Sequence, residues 1–392
     1  MAASLWRRCS LNTGWSFTNV AKKVHPALNH RCQRQFSVKE SVKREAKHAP
    51  LSPVTFLERA AEVHGDRISV VYGALRFTWG QTLGRCANLA AALSKLGISR
   101  GDVVAILAPN IPAMQELHFA VPMAGAIICT LNPYDNPNMI SILLQHSEAK
   151  IIFVDHQFLH KAQQALDLVS QNNLKPPILV LIPEYAIPFS CPGTHDYETL
   201  VASGDSQKHT TKPPKTEQDP ISIHYTSEAT PPHPKRVVRS HREAYVNTLA
   251  TASIHGLRSM NTVYLWTVPI SQFNGGDCLI WGLAALGGTN VFLTRVSAKE
   301  IFESIFLNSV THMGGSRKIL NMIVNSTDRD RKVNSTYRDR NEPPSTVVEI
   351  MADGILPLQP PIVSKIEELG FRLSPRKPES DSCLEEVDAD CM

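Results

Sequence analysis

Apolar positions along this chain fall into two recurring patterns. Short continuous runs such as Val103–Leu107, Ala126–Leu131, Lys150–Val154 and Pro177–Ile182 read as strands buried on both faces. Between them lie stretches with helical spacing: Ile111–Gly125 with an internal Pro122, Pro137–His146 and Gln157–Val169. Ahead of these, Ser52-Pro53 opens a helix to about His64, with Ser as cap and Pro in the first turn. Ile68–Tyr72 and Leu75–Thr78 form a strand pair around Gly73. Thr78-x-x-Gln81 then matches a capping box, and that helix ends at Gly97.

After a polar stretch at 203–219 the alternation resumes. Strands are expected at Ile221–Tyr225, Val263–Val268, Thr289–Leu293, Thr311–Met313 and Val347–Met351. Helices are expected near His241–Ile254, Cys278–Leu286, Ala298–Leu307 and Arg317–Val324. Strands alternating with helices imply an α/β fold with parallel, doubly wound sheets. The expected division is a leader at 1–36, a first lobe at 37–202, a linker at 203–219, a second lobe at 220–374 and an irregular tail at 375–392. A tandem repeat, Val324–Lys332 followed by Val333–Asn341, is charged and turn-rich and is placed on a loop.

Composition sharpens this. With 43% apolar and 19% charged residues among 392, the chain can bury a large core. It has no apolar run of membrane-spanning length. Residues 1–36 carry six Lys and Arg and no acid, leaving the rest at net charge −2. A near-neutral body gives no reason to expect a nucleic-acid partner. The leader's composition, with Arg34-Gln35-Phe36-Ser37 as a cleavage candidate, leads to an expected mitochondrial address, with the cytosol as the alternative. The C-terminal Asp390-Cys391-Met392 is no S-K-L-type signal. The eight Cys include no C-x-x-C pair, so reduced thiols are expected and no zinc site.

The segment after Ile221–Tyr225 carries the chemistry. It reads Thr226-Ser227-Glu228-Ala229-Thr230-Pro231-Pro232-His233-Pro234-Lys235-Arg236-Val237. A hydroxyl-rich loop ending in Pro-Lys resembles the phosphate loop T-S-G-T-T-G-x-P-K-G-V of the AMP-forming adenylating enzymes, and in particular the plant acyl-activating enzymes. The likeness runs from about Leu51 to Leu373. It includes Gly101–Asn110, Phe153-Val154-Asp155, Tyr264–Pro269, Gly287–Asn290 and Thr311–Gly314.

The resemblance implies two doubly wound lobes of that family's large N-terminal domain, without its small C-terminal domain. It also implies the family's reaction: carboxylate and ATP give acyl-AMP, and CoA then takes the acyl group. ATP with Mg²⁺ is the implied cofactor, and CoA and a small carboxylic acid are the implied substrates. The nucleotide-binding residues carried over are Thr226, Ser227, Thr230, Lys235 and Gly354. Those of the acid pocket are Trp266, Gln272, Asn274, Gly275 and Gly314. No catalytic residue and no metal ligand is assigned.

The motif also departs from its template. Glu228, Pro231 and Arg236 stand where glycines are expected, Ala229 replaces a Thr, and one extra residue precedes Pro234. Gln272 stands where His is expected, and Pro375-Arg376-Lys377-Pro378 where Y-G-x-T-E would follow. The expectation is therefore a truncated, inactive copy. An active short- or medium-chain ligase is one alternative. A non-catalytic binding protein that pairs with an intact relative is the other. The basic cluster Lys235, Arg236, Arg239, His241 and Arg242 is expected to be a solvated helix start rather than an anion site.

Overall fold

A computed structural model describes residues 49–184, 195–205, 211–225, 234–271, 276–331, 347–352 and 360–374. The chain divides into Met1–Ala49 and Pro50–Met392, and every described element belongs to the second unit.

The elements, in chain order, are α1 (Val54–His64), β1 (Ile68–Tyr72), β2 (Leu75–Thr78), α2 (Trp79–Lys95), β3 (Val103–Leu107), α3 (Pro112–Met123) and β4 (Ile127–Thr130). Next come α4 (Pro137–His146), β5 (Ala149–Asp155), α5 (Leu159–Gln171), β6 (Ile178–Ile182), β7 (His195–Asp196) and α6 (Tyr197–Ser203). Then follow β8 (Pro220–Tyr225), β9 (Arg236–Ser240), α7 (His241–Ile254), β10 (Val263–Trp266), α8 (Gly276–Leu286) and β11 (Thr289–Phe292). The last are α9 (Ala298–Asn308), β12 (His312–Gly315), α10 (Arg317–Val324), α11 (Asp328–Arg331), β13 (Val348–Ala352), α12 (Pro360–Glu368) and β14 (Phe371–Ser374). Ser52 is not the residue that opens α1. Pro53 stands at that position, although Ser52 Oγ still accepts from Val54 N–H at 3.3 Å.

The strands form two seven-stranded sheets, ordered β7-β6-β5-β3-β4-β8-β9 and β14-β13-β12-β10-β11-β1-β2. All described pairings are parallel except the hairpins β8–β9 and β1–β2 at one edge of each sheet. Sheet membership crosses the 203–219 segment in both directions. The early pair β1–β2 extends the second sheet through β11, and β8 extends the first through β4. Part of the 203–219 segment is anchored to the body. Lys212 N–H donates to Met123 O at 3.0 Å, and Lys212 Nζ to Ser94 Oγ at 3.1 Å.

Alternation along the strands explains the layering. In β3, Val104 and Ile106 face the largest cluster, shared by both sheets and helices α1–α3 and α6–α8. Val103, Ala105 and Leu107 face α4 and α5. In β10, Tyr264 and Trp266 face the shared cluster, whereas Leu265 faces α9, α10 and α12. Both sheet faces are covered, so the strands read as continuous apolar runs.

Helix α3 lies inside this core, with all of its residues buried. Pro122 lacks the N–H that would bond the carbonyl of His118. Trp281 Nε1 supplies the missing donor, 3.1 Å from His118 O. Glu116 on the same helix is fully buried. It accepts from Arg85 Nε at 2.7 Å and Tyr197 Oη at 2.6 Å. Helix α8 ends in a Schellman turn, with Gly288 N–H to Leu283 O at 2.8 Å and Gly287 N–H to Ala284 O at 3.2 Å. Gly287 has φ +63, and a Cβ there would lie 2.2 Å from the His64 ring.

The tandem repeat divides at the edge of the described residues. Its first copy spans the end of α10 and the short α11, where Thr327 Oγ1 donates to Asp330 Oδ2 at 2.7 Å. Residues 332–346 lie outside.

Candidate functional site

The phosphate-loop candidate connects β8 to β9. Tyr225 pairs with Arg236, so the strand after the candidate runs antiparallel to the strand before it, and a strand rather than a helix follows. Of the nucleotide-binding candidates, Thr226, Ser227, Thr230 and Gly354 lie outside the described residues, while Lys235 is exposed at the foot of β9. The stem before the loop is braced from the side. Tyr225 Oη lies 2.9 Å from His146 Nδ1, and the two rings meet edge to face. Burial, with Cys129 nearby, raises the Tyr225 hydroxyl above its ordinary value and keeps it neutral.

The basic cluster departs from the expected solvated helix start. Arg236–Ser240 is a strand. Arg239 is largely buried, and its Nη1 lies 2.7 Å from both carboxylate oxygens of Asp277. His241 is buried, with Nδ1 2.8 Å from Ser52 Oγ, and Arg242 pairs with Glu217. Burial pushes the His241 imidazole down to about 4. The cluster presents Lys235 and Arg236 to solvent and spends Arg239 on an internal ion pair.

Asp277 collects more than that pair. His224 Nε2 donates to it at 3.0 Å, Ser222 Oγ at 3.2 Å and the Cys278 N–H at 2.9 Å. Burial opposes its ionisation, but Arg239 and His224 more than offset this and hold the carboxyl well below the usual range. Asp277 was not among the candidate residues. No local pattern marks it, because its partners lie on β8 and β9.

The acid-pocket candidates divide in the same way. Gln272, Asn274 and Gly275 lie outside the described residues. Trp266 is fully buried, stacks on Phe292 and donates from Nε1 to Asn290 Oδ1 at 2.9 Å. Gly314 lies on the neighbouring strand β12. A Cβ there would meet Tyr264 Oη at 3.1 Å and Val268 Cγ2 at 3.2 Å. Thr267 Oγ1 donates to Gly314 O at 2.5 Å. The following segment is held from the first sheet's side. Asn110 Nδ2 donates to Val268 O at 2.8 Å, and Asn110 Oδ1 accepts from Ile270 N–H at 2.9 Å. Asn110 was legible only as part of the Gly101–Asn110 likeness, not as a positioning group. Among the described residues no cluster of three or more His, Cys, Asp or Glu could hold a metal ion.

The sequence profile of the family described as AMP-binding enzyme matches residues 57–374. The chain belongs to this family. It is 40% identical over 340 residues to trans-cinnamate:CoA ligase, peroxisomal, of Petunia hybrida, covering 84% of this chain and 57% of that protein. It is also 40% identical over 337 residues to butyrate–CoA ligase AAE11, peroxisomal, of Arabidopsis thaliana, covering 84% and 56%. The chain thus spans less than two thirds of the length of these relatives. The fold matches that of anthranilate CoA ligase AuaEII in complex with anthranoyl-AMP, with TM-score 0.69, 17% identity and coverage of 83% of this chain and 59% of that one. The N-terminal domain of FACL13 from Mycobacterium tuberculosis matches with TM-score 0.66, 19% identity and coverage of 82% and 74%.

One expectation is overturned. The ligases from Petunia and Arabidopsis that are named with a compartment are peroxisomal, benzoate–CoA ligase of A. thaliana among them, which points away from the mitochondrial address. A basic, acid-free segment such as residues 1–36 is also what any basic tail looks like, so its composition does not specify import.

Proposed function

We propose that this chain is the acid- and nucleotide-binding part of a carboxylate–CoA ligase of the plant acyl-activating type, with a phosphate loop that holds ATP weakly. The observation that carries the reading is the family match over 57–374, with CoA ligases at about 40% identity. The reaction would be adenylation of a small carboxylic acid by ATP with Mg²⁺, followed by transfer to CoA. The compartment would be the peroxisome, as in the relatives named for it.

The weakness follows from the loop's sequence. Glycines in such a loop let backbone N–H groups approach phosphate oxygens. Glu228 instead brings a carboxylate, and one like-charge pair near 4 Å costs about 4 kcal/mol at an effective dielectric near 20. That is roughly a thousandfold in affinity. Pro231 removes a donor and fixes φ.

Calorimetric titration of the chain with Mg·ATP tests this. Weak or undetectable binding is expected, with Glu228→Gly strengthening it by at least about tenfold. Micromolar binding by the unaltered chain would refute the weakened loop. Carboxylate-dependent ATP–pyrophosphate exchange would show that the loop still works. Failure of both the chain and Glu228→Gly to bind would remove the nucleotide reading and turn attention to the scaffold alternative.

A further inference from the structure

The buried carboxylate of Asp277 joins α8 to the strand pair β8–β9, whose contacting residues lie 38 to 55 positions earlier in the sequence. It sits in the first turn of α8, where the helix dipole favours an anion. Its oxygens take Arg239 Nη1 from β9 at 2.7 Å. They also take His224 Nε2 and Ser222 Oγ from β8 at 3.0 and 3.2 Å. The Asp277 side chain is 1% exposed and that of Arg239 15%, so solvent does little to weaken the pair. His224 Nε2 also lies 3.1 Å from Ser222 Oγ, which closes the ring of contacts.

The placement of this network matters more than its strength. Asp277 is one residue beyond Gly276, where α8 begins, and the segment ahead of that start carries the acid-pocket likeness. Arg239 and His224 lie on the two strands that enter and leave the phosphate-loop hairpin. A charge pair kept only to neutralise a buried Arg would need no contact with β8. This one bonds both strands of the hairpin at once.

We propose that Asp277 is a positioning residue: its bonds to Arg239, His224 and Ser222 fix the start of α8 against the paired strands β8 and β9. The expected effect on nucleotide binding rests on the ligase reading above. The geometry does not.

Hydrogen–deuterium exchange of the full chain tests the proposal. Asp277→Glu keeps the charge and lengthens the side chain by one methylene. Exchange is expected to rise about tenfold in peptides covering both 220–240 and 268–282, with β5–β6 peptides and cooperative unfolding unchanged. Unaltered exchange, a rise confined to one stretch, or a rise spread over all peptides would overturn it. A second variant, Arg239→Met with Asp277→Asn, removes both charges and carries the test if Asp277→Glu does not fold. Rapid exchange in both stretches is again expected, whereas unaltered exchange would show charge compensation alone. Mg·ATP affinity should fall about tenfold when Asp277→Glu is added to Glu228→Gly, at unchanged melting temperature. Failure of both the parent chain and Glu228→Gly to bind Mg·ATP would count against the proposed function only, because the exchange measurement uses no nucleotide.

Discussion

Pro122 and Trp281 make a pair that neither residue announces alone. The proline strips a donor from α3, and the indole restores it from α8. Trp281→Phe should therefore leave a buried carbonyl unpaired and cost about 1–3 kcal/mol. The urea midpoint reads this, and the loss should shrink in a Pro122→Ala background, where an N–H returns. His118 carries the pH dependence at this scale. Its Nδ1 lies 2.6 Å from Met114 O, and burial pushes it down to about 4, as it does His241. A depressed pKa means that the folded chain buries the neutral ring. Its contribution to stability is complete above the unfolded value of about 6.5 and is lost as pH falls towards 4, by up to about 1.4 kcal/mol per pH unit for each His. Asp155, raised by burial, acts with the opposite sign. The His118 share is therefore the difference in slope between the chain and His118→Leu across pH 6.5 to 4.5. Equal slopes would refute it.

Caps and strands were unequally legible at the scale of elements. Thr78 forms the capping box its spacing announces, accepting from Gln81 N–H at 3.2 Å while Gln81 Oε1 accepts from Thr78 N–H at 2.9 Å. Thr78→Ala should cost about 1 kcal/mol, and a midpoint within error of the parent would count against the cap. Ser240 and Glu243 form a second box that the basic residues around it obscured. Strand β9 was missed for a related reason. It is an edge strand with exposed Arg236 and Val238, so its sequence looks like a polar helix start. The strands at Val103–Leu107 and Ile127–Thr130 are buried on both faces, and the apolar runs that contain them identify them without help. Of the site candidates, Trp266 and Gly314 lie on the neighbouring strands β10 and β12, while Asn110 and Asp277, which were not candidates, emerge only from contacts between distant elements.

At the scale of the whole molecule, the two sheets exchange segments. β1–β2 completes the second sheet, and β8–β9 completes the first. A fragment of residues 49–205 would lack both β11, the partner of β1, and β8, the partner of β4. It should therefore show no cooperative thermal unfolding and should bind a hydrophobic dye. A sharp melt from that fragment would contradict the exchange. The α/β class and most strand and helix positions were legible in the sequence alone, because burial on both faces and helical periodicity are local properties, and the family was legible through the motifs it resembles. Sheet membership, the β8–β9 pairing on either side of the phosphate-loop candidate and the pairing of Arg239 with Asp277 were decided only by tertiary structure. Those outcomes depend on which distant strand offers a free edge and which buried charge needs a partner, and no spacing along the chain encodes either.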